Sequence, residues 1–420
     1  MGRDSLRFVM VTTFYPPYSF GGDGIYVQQL ARALARRGHT VEVVHDVDAF
    51  TIGGGNPELP PAPEPPRVKV HALRSLVPRL ATLATHQLGR PTFHARELRS
   101  LLAREFDVVH FHNVSLVGGP GLLSYGTGVK LYTAHEHWLV CANHVLWRHG
   151  REPCDARECV RCVLRARRPP QLWRSGDWLT DQWRHVDAFL ALSEFSAAKH
   201  REFGFAPEMT VLPSFLPDDE PVSEGSDPDS AAPSDQDVPY FLFVGRLEAI
   251  KGLDDVIPRF DRRLGAELWI AGKGADETRL RALADGYAVR FLGHLSAHQL
   301  RKIYRSARAV IAPSRCFEVF PLVLLEAFRE GTPVIARALG PYPELVAESG
   351  GGVCFSDTHE LDAHLRRFVG DPDHARALGA RSRESFRMRW SEAVVIDRYL
   401  EFVRDLTARR AQDAQRAAPF

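Results

Sequence analysis

The chain has 420 residues, enough for two or three domains that each bury a core, and its 45% hydrophobic and 25% charged residues are those of a globular protein. A formal net charge of +1 removes the electrostatic case for a nucleic-acid binder, which needs a clear basic excess or stripe. No apolar run reaches the roughly 18 residues of a membrane span, so at most peripheral membrane contact is expected.

The start, MGRDSLRFVMVTTFYPP, passes directly into a strand pattern without the apolar core of a signal peptide. Leu6 stands where a myristoylation signal has Ser or Thr, and a cytoplasmic location is the expectation. Leu6 to Thr12 is a short, nearly all-apolar strand, as in a parallel sheet covered on both faces. After a loop, Gly21-Gly22 opens a helix in which Val27, Leu30, Ala31 and Leu34 recur at helical spacing, and Gly38 closes it. A glycine pair there lets backbone N–H groups approach an anion with the helix dipole behind them; a flexible loop is the plain alternative. The spacing is not that of a dinucleotide fingerprint.

Thr40 to His45 is a second strand, and Asn56 to Pro66 is Pro-rich and predicted to be irregular. Asp107 to Phe111, Lys130 to Ala134 and Asp187 to Leu192 are further strands. His110, His112 and Asn113 end one of them and are candidates to line an acceptor pocket. His135, followed by Glu136 and His137, ends the next.

Cys141, Cys154, Cys159 and Cys162 then fall in the pattern C-x12-C-x4-C-x2-C. Clustered thiols in a cytoplasmic chain point to metal, and four thiolates at this spacing suit a structural zinc, with a disulfide pair as the plainer alternative and an iron–sulfur cluster as a third. Cys316 and Cys354 are read as buried small residues. From Arg165 to Arg184, arginines interleave with Trp173, Trp178 and Trp183. Solvated charge and core tryptophan is the first reading; an acceptor platform or a surface touching anionic lipid is the second.

Pro217 to Pro239 is rich in Asp, Ser, Pro and Ala and is expected to be a linker. A second alternating series follows, with strands at Tyr240–Val244, Glu267–Ala271, Val289–Leu292, Ala309–Ala312, Pro333–Ala336 and Gly352–Phe355. Strands alternating with helices twice over predict two doubly wound α/β domains with ligands at the strand carboxyl ends. The expected layout is 1–216 for the first domain with a Cys-rich insert over 138–170, 217–239 for the linker, 240–390 for the second domain, and 391–420 for a helix that crosses back.

The second series carries the motifs with chemistry. Val244-Gly245-Arg246-Leu247 ends its first strand, with Lys251-Gly252 just beyond. Gly272 and Gly274 end the next strand, with Lys273 between them. Glu318 and Glu326 flank Pro321, the second of them on an apolar helix. Breaking a glycosyl–diphosphate bond places negative charge on the leaving group, and Arg, Lys or a helix N-terminus can meet it.

Together these segments resemble the donor site of the retaining GT4 glycosyltransferases of the GT-B fold, in particular the subset with a Cys-rich insert. The resemblance covers most of the chain. It implies two Rossmann-like domains facing across a cleft and a UDP- or GDP-sugar donor. The acceptor would be a saccharide or small molecule, and no cofactor is required for the chemistry. Arg246 and Lys251 would bind the diphosphate, with Gly245 beside them and Gly21 and Gly22 reaching the donor phosphate. Glu326 would take the ribose hydroxyls. Glu318 and His135 would face the transferred sugar. Gly272 and Gly274 would admit base or ribose, and the N–H groups of Phe320, Leu322 and Val323 would point at sugar or phosphate oxygens. Pro321 replaces the glycine common at its position, and Glu136 the usual aspartate. A nucleotide-sugar epimerase of the same architecture and a non-catalytic nucleotide-sugar-binding protein are the competing readings.

Overall fold

A computed structural model describes residues 5–56, 60, 62–217 and 238–417. The expected linker therefore lies, from 218 to 237, outside the described residues. The chain divides into two units, Met1–Gly150 with Ala156–Ser214 and Val395–Phe420, and Arg151–Asp155 with Phe215–Val394.

The first unit is built on strands β1 (Arg7–Val11), β2 (Thr40–Asp46), β3 (Val68–Leu73), β4 (Val108–Phe111), β5 (Val129–Ala134), β6 (Ala188–Ala191) and β7 (Met209–Val211). They form one sheet in the order β3-β2-β1-β4-β5-β6-β7, every pairing parallel. Helix α1 (Gly22–Arg36) follows β1 and buries Val27, Leu30, Ala31 and Leu34, as the spacing predicts. Gly38, at φ +88°, takes the left-handed turn that ends it. Helices α2 (Val47–Ile52), α3 (Pro78–Leu88) and α4 (Cys159–Arg165) complete the elements needed below.

The second unit repeats the plan. Strands β8 (Tyr240–Val244), β9 (Glu267–Ala271), β10 (Val289–Gly293), β11 (Ala309–Ala312), β12 (Val334–Arg337) and β13 (Gly352–Phe355) lie in the order β10-β9-β8-β11-β12-β13, again all parallel. Alternate residues serve opposite faces. Leu242, Trp269 and Val310 join one buried cluster, while Phe241, Ile270 and Ile311 join another, so the sheet is covered on both sides. This two-sided burial is why the strands read as unbroken apolar runs. Helices α5 (Ala297–Ser306) and α6 (Leu322–Glu330) flank β11 in sequence, and α7 (Glu392–Ala417) ends the chain.

In both sheets the chain winds outward in two directions from a central strand pair, β1/β4 in the first and β8/β11 in the second. Loops leaving the carboxyl ends of such a pair diverge and leave room for a ligand. Thr12, His112 and His135 follow β1, β4 and β5, and Arg246 and Pro313 follow β8 and β11. From Val395 on, α7 belongs to the first unit. Its Tyr399 is wholly buried and stacks on His110, Asp397 pairs with Arg37, and Arg410 Nη1 lies 3.1 Å from an Asp187 carboxylate oxygen. No described helix is long and apolar enough to cross a membrane.

Strand β3 and helix α3 are not evident in the sequence. The strand has a buried residue at each end and mixed exposure between, so neither period stands out. The helix breaks the usual pattern altogether, burying Ala81, Thr82 and Thr85 while its leucines face outward.

Candidate functional site

In the second unit, the loop after β8 and the loop after β11 are tied together by their backbones. The Arg315 N–H donates to the Ile250 carbonyl at 2.8 Å. Gly252 sits at φ +75°, and a Cβ there would lie 2.2 Å from the Pro313 carbonyl oxygen, so only glycine permits this approach. Asp255 braces the junction through Arg315 and Arg337, and Arg337 also donates to the Pro313 carbonyl. The brace sets Lys251 against Glu318, with Nζ 2.6 Å from Oε1, and Ser314 donates to the same oxygen at 2.7 Å. Burial pushes the Glu318 carboxyl up, but the charge and hydrogen bond of Lys251, helped by Ser314 and Arg246, hold it below the usual carboxylate range. Lys251 is the mirror case: burial works against its charge, and Glu318 keeps it above its ordinary value. Cys316 is buried beside this pair.

Arg246 lies on the same loop, 60% exposed, with Nη1 2.8 Å from Glu248 Oε1. Glu326 is half-buried on α6, and Tyr304 of α5 donates to it at 2.6 Å. Sequence reasoning missed Tyr304, since nothing links two helices at that spacing except the packed structure. Helix α6 starts at Leu322, with Pro321 as its N-cap residue in an extended conformation. Leu322 and Val323 are thus its first two residues, whose N–H groups have no carbonyl four residues back to bond. Phe320 precedes the cap, partly buried against the core.

The glycines after β9 have an explanation internal to the fold. A Cβ on Gly272 would lie 1.9 Å from the Gly245 carbonyl oxygen, and one on Gly274 would lie 2.3 Å from the Leu247 carbonyl oxygen. These two residues and Gly245 belong to two loops in close contact, joined by the Leu247 N–H to the Lys273 carbonyl at 3.0 Å. Close approach is therefore required by the neighbouring backbone whether or not a ligand also comes near.

In the first unit, Gly21 caps α1 and Gly22 is its first residue; a Cβ on Gly21 would meet nothing within 4 Å. Next comes Asp23, which the sequence reading did not single out. Asn113 donates to Asp23 Oδ2 at 3.1 Å, and burial first, then the charge of Glu136, raises its carboxyl above the usual range. His112 and His135 meet through Nδ1 and Nε2 at 2.9 Å, and Tyr26 packs on His135 with ring centroids 4.8 Å apart. Beneath them His110 bridges the Tyr399 hydroxyl at 3.0 Å and Thr133 at 2.8 Å. His110 is thus a packed anchor for α7. Glu136 pairs instead with His144, 2.7 Å away.

The His112–His135 contact fixes a tautomer. His112 Nε2 is buried with no hydrogen-bond partner among the described residues. A buried N–H without an acceptor is rarer and costlier than an unfilled lone pair. His112 therefore carries its proton on Nδ1 and donates to His135 Nε2, which leaves His135 protonated on Nδ1. Burial holds the His135 imidazole near pKa 3, so it is neutral at physiological pH and a donor.

The four clustered cysteines have different settings. Cys141 follows a short 3-10 turn, and Cys159 and Cys162 lie on α4. Cys162 Sγ accepts from the His149 N–H and from Asn143 Nδ2, each at 3.2 Å. His144, Leu146 and His149 all take left-handed backbone conformations. A separate group, Asp46, Asp48 and His94, has its ligand atoms within 4.8 Å of one another. Both carboxylates there already have structural duties, Asp46 capping α2 and Asp48 accepting the Ser75 N–H.

Two family descriptions match the chain, Glycosyltransferase Family 4 over residues 20–220 and Glycosyl transferases group 1 over residues 228–385. The chain is a GT4-type glycosyltransferase. It is 29% identical over 408 residues to a glycogen synthase of Mycobacterium tuberculosis, covering 92% of each chain. It is also 29% identical over 419 residues to a D-inositol 3-phosphate glycosyltransferase of Mycolicibacterium smegmatis, covering 94% of this chain and 90% of that one. Among solved structures, the sucrose-phosphate synthase of Thermosynechococcus elongatus superposes with a TM-score of 0.72 at 20% identity, covering 96% of this glycosyltransferase and 99% of that chain. The Anabaena protein HepE, solved in complex with UDP and glucose, superposes with a TM-score of 0.62 at 14% identity over 95% and 100% of the two chains. Two parallel α/β units and these likenesses make the fold GT-B.

Proposed function

We propose that this glycosyltransferase moves a hexose from a UDP- or GDP-sugar to a saccharide or small-molecule acceptor, with retention of the anomeric configuration. The observation that carries the reading is the Lys251–Glu318 pair, held at 2.6 Å where the loops after β8 and β11 are laced together, with Arg246 on the same loop. Arg246 and Lys251 would take the leaving diphosphate, Arg by a two-pronged clamp and Lys as a point charge. With the cations so placed, the protein itself supplies the charge that stabilises departure. Glu326, oriented by Tyr304, would accept the ribose hydroxyls, and Glu318 would accept from the sugar. The Leu322 and Val323 N–H groups would add the positive end of α6. His135, fixed as a donor by His112, would hydrogen-bond the transferred sugar, as the resemblance to the GT4 family implies. In a front-face displacement the acceptor proton would pass to the departing phosphate oxygen. Supported by the resemblance, too, is a UDP or GDP donor; HepE binds UDP and glucose. The proposed location is cytoplasmic.

Proton NMR of the first-formed product from an α-linked donor should show the α coupling constant at the new linkage. A β product would reject retention and give His135 or Glu136 the role of general base.

The C-x12-C-x4-C-x2-C spacing is the support for a structural zinc that Cys141, Cys154, Cys159 and Cys162 would hold. The N–H groups aimed at the Cys162 sulfur are the kind of outer contacts that favour a metal-bound thiolate. The left-handed residues His144, Leu146 and His149, each costing about 1 kcal/mol or more, fit a loop shaped around something it holds. Elemental analysis of purified protein should find about one zinc per chain, and Cys159→Ser should lower stability more than donor affinity. Metal-free protein with four readily titrated thiols in this segment would end the zinc reading.

A further inference from the structure

Helix α3 has its amphipathic pattern reversed. It buries Ala81, Thr82 and Thr85 and turns its leucines to solvent, Leu80 at 56% and Leu83 at 49% exposed, with Leu76 just before it fully exposed at 102%. A helix normally covers its large apolar residues, because burying them removes apolar surface from water. Here the stripe at positions 76, 80 and 83 points away from the core, and Leu88 at the far end is also exposed. An apolar face of this kind on a folded chain marks an interaction surface.

The surroundings specify the partner. Trp173 joins the segment after α4 to α3, its indole N–H donating to the His86 carbonyl at 2.9 Å. Gly89, just past α3, lies against the rings of Trp173 and Trp178. That neighbouring segment adds exposed Leu164, Leu172 and Trp178. Arg168 is near enough for its charge to help depress the His86 imidazole, behind the larger effect of burial. Charge is one-sided across both segments. Residues 74–96 contain Arg74, Arg79, Arg90 and Arg96 and no carboxylate, and residues 159–178 contain five arginines, Arg174 of them packed on Trp138 and Trp173, against the single carboxylate of Asp177. In a chain whose net charge is only +1, this is a strong local segregation.

Exposed leucines and a tryptophan set among arginines, with Asp177 the one carboxylate in the two segments, match a bilayer surface of anionic phospholipid. Such a surface takes apolar side chains into its headgroup boundary and attracts cations at the same time. We propose that α3 and the adjoining Leu164–Trp178 segment form a peripheral docking face for anionic membrane. This inference does not depend on the identity of donor or acceptor.

The test is sedimentation of the full chain with vesicles of phosphatidylcholine alone or mixed with phosphatidylglycerol. Binding should be at least about tenfold stronger to the anionic vesicles and should fall as salt is raised. Leu80→Asp/Leu83→Asp should weaken it about tenfold or more, and Arg167→Glu/Arg168→Glu should do the same by charge. All four side chains are exposed, so both variants should keep the wild-type melting temperature; if the leucine variant does not fold, the arginine variant decides. Equal partition into the two kinds of vesicle, or binding unchanged in the folded variants, would overturn the proposal. So would a wild-type dimer that Leu80→Asp/Leu83→Asp turns into a monomer without any vesicle binding, which would assign the face to a second copy of the chain.

Discussion

Alanine at position 251 is expected to lower turnover about a hundredfold or more, the loss of roughly 3 kcal/mol of transition-state stabilisation. Two consequences of the structure separate this from simple unfolding. Lys251 and Glu318 each retain about a fifth of their side-chain exposure, 20% and 21%. Removing the lysine should therefore destabilise by about 2 kcal/mol, less than for a fully dry pair. The pH dependence is the sharper sign. In the wild type Glu318 is held low, so its contribution to stability is present above its ordinary pKa and is lost as pH falls through the folded value. Without Lys251, burial acts on Glu318 with only Ser314 and Arg246 opposing it, and its pKa rises. The stability deficit of Lys251→Ala should then be largest near pH 8 and shrink toward pH 5, as measured by urea unfolding. Glu318→Gln in the same background should remove that pH dependence. Steady-state rates within threefold of wild type for both Lys251→Ala and Arg246→Ala would end the diphosphate assignment.

The second large effect is expected at His135. Alanine there should reduce kcat by about 10- to 100-fold, through loss of a fixed donor to the transferred sugar. His112→Ala should cost a smaller factor, about tenfold, because it acts through its hydrogen bond to His135, by freeing the tautomer. The imidazole is held near pKa 3 by burial, so wild-type kcat/KM should show no acidic limb near pH 6.5 that disappears in His135→Gln. Finding such a limb would show that His135 titrates like a free imidazole and would break the tautomer argument. Folding stability should respond differently. His110 and His135 are depressed to about 3, and His45 and His200 to about 4, by burial first in each case. Below about pH 6.5 the unfolded chain takes up protons that the folded chain refuses, so stability should decline as pH falls from about 6.5 toward 4. Unfolding in urea at pH 7.5 and 5.0 measures it.

Much of the candidate site in the second unit was legible because it is local. Gly245-Arg246 and Lys251-Gly252 lie within eight residues at one strand end, and Glu318 and Glu326 flank the start of one helix. Buried parallel strands announce themselves as apolar runs, since both faces of each sheet are covered. The strand–helix alternation follows from the same burial.

What sequence could not supply was every relation made across the sheet or between helices. Asp23 meets Asn113 over a separation of 90 residues, and Tyr304 meets Glu326 over 22. Neither pairing has a periodicity to betray it. His110 and His112 end the same strand with equal chemical promise, yet one is locked between Thr133 and Tyr399 while the other touches His135. Gly272 and Gly274 suggest a ligand's approach, and only the structure shows that they also crowd a loop of the chain itself. Helix α3 was hidden because its leucines face outward, inverting the pattern by which a helix is recognised. By itself the sequence determined the two α/β halves, the order of most of their strands and helices, and the residue types carrying charge at the loops after β8 and β11, because these depend on neighbours in the chain. The tertiary structure decided which side chains meet, which proton each histidine keeps and which apolar face is left uncovered, because burial and contact distance are set by packing between segments far apart in sequence.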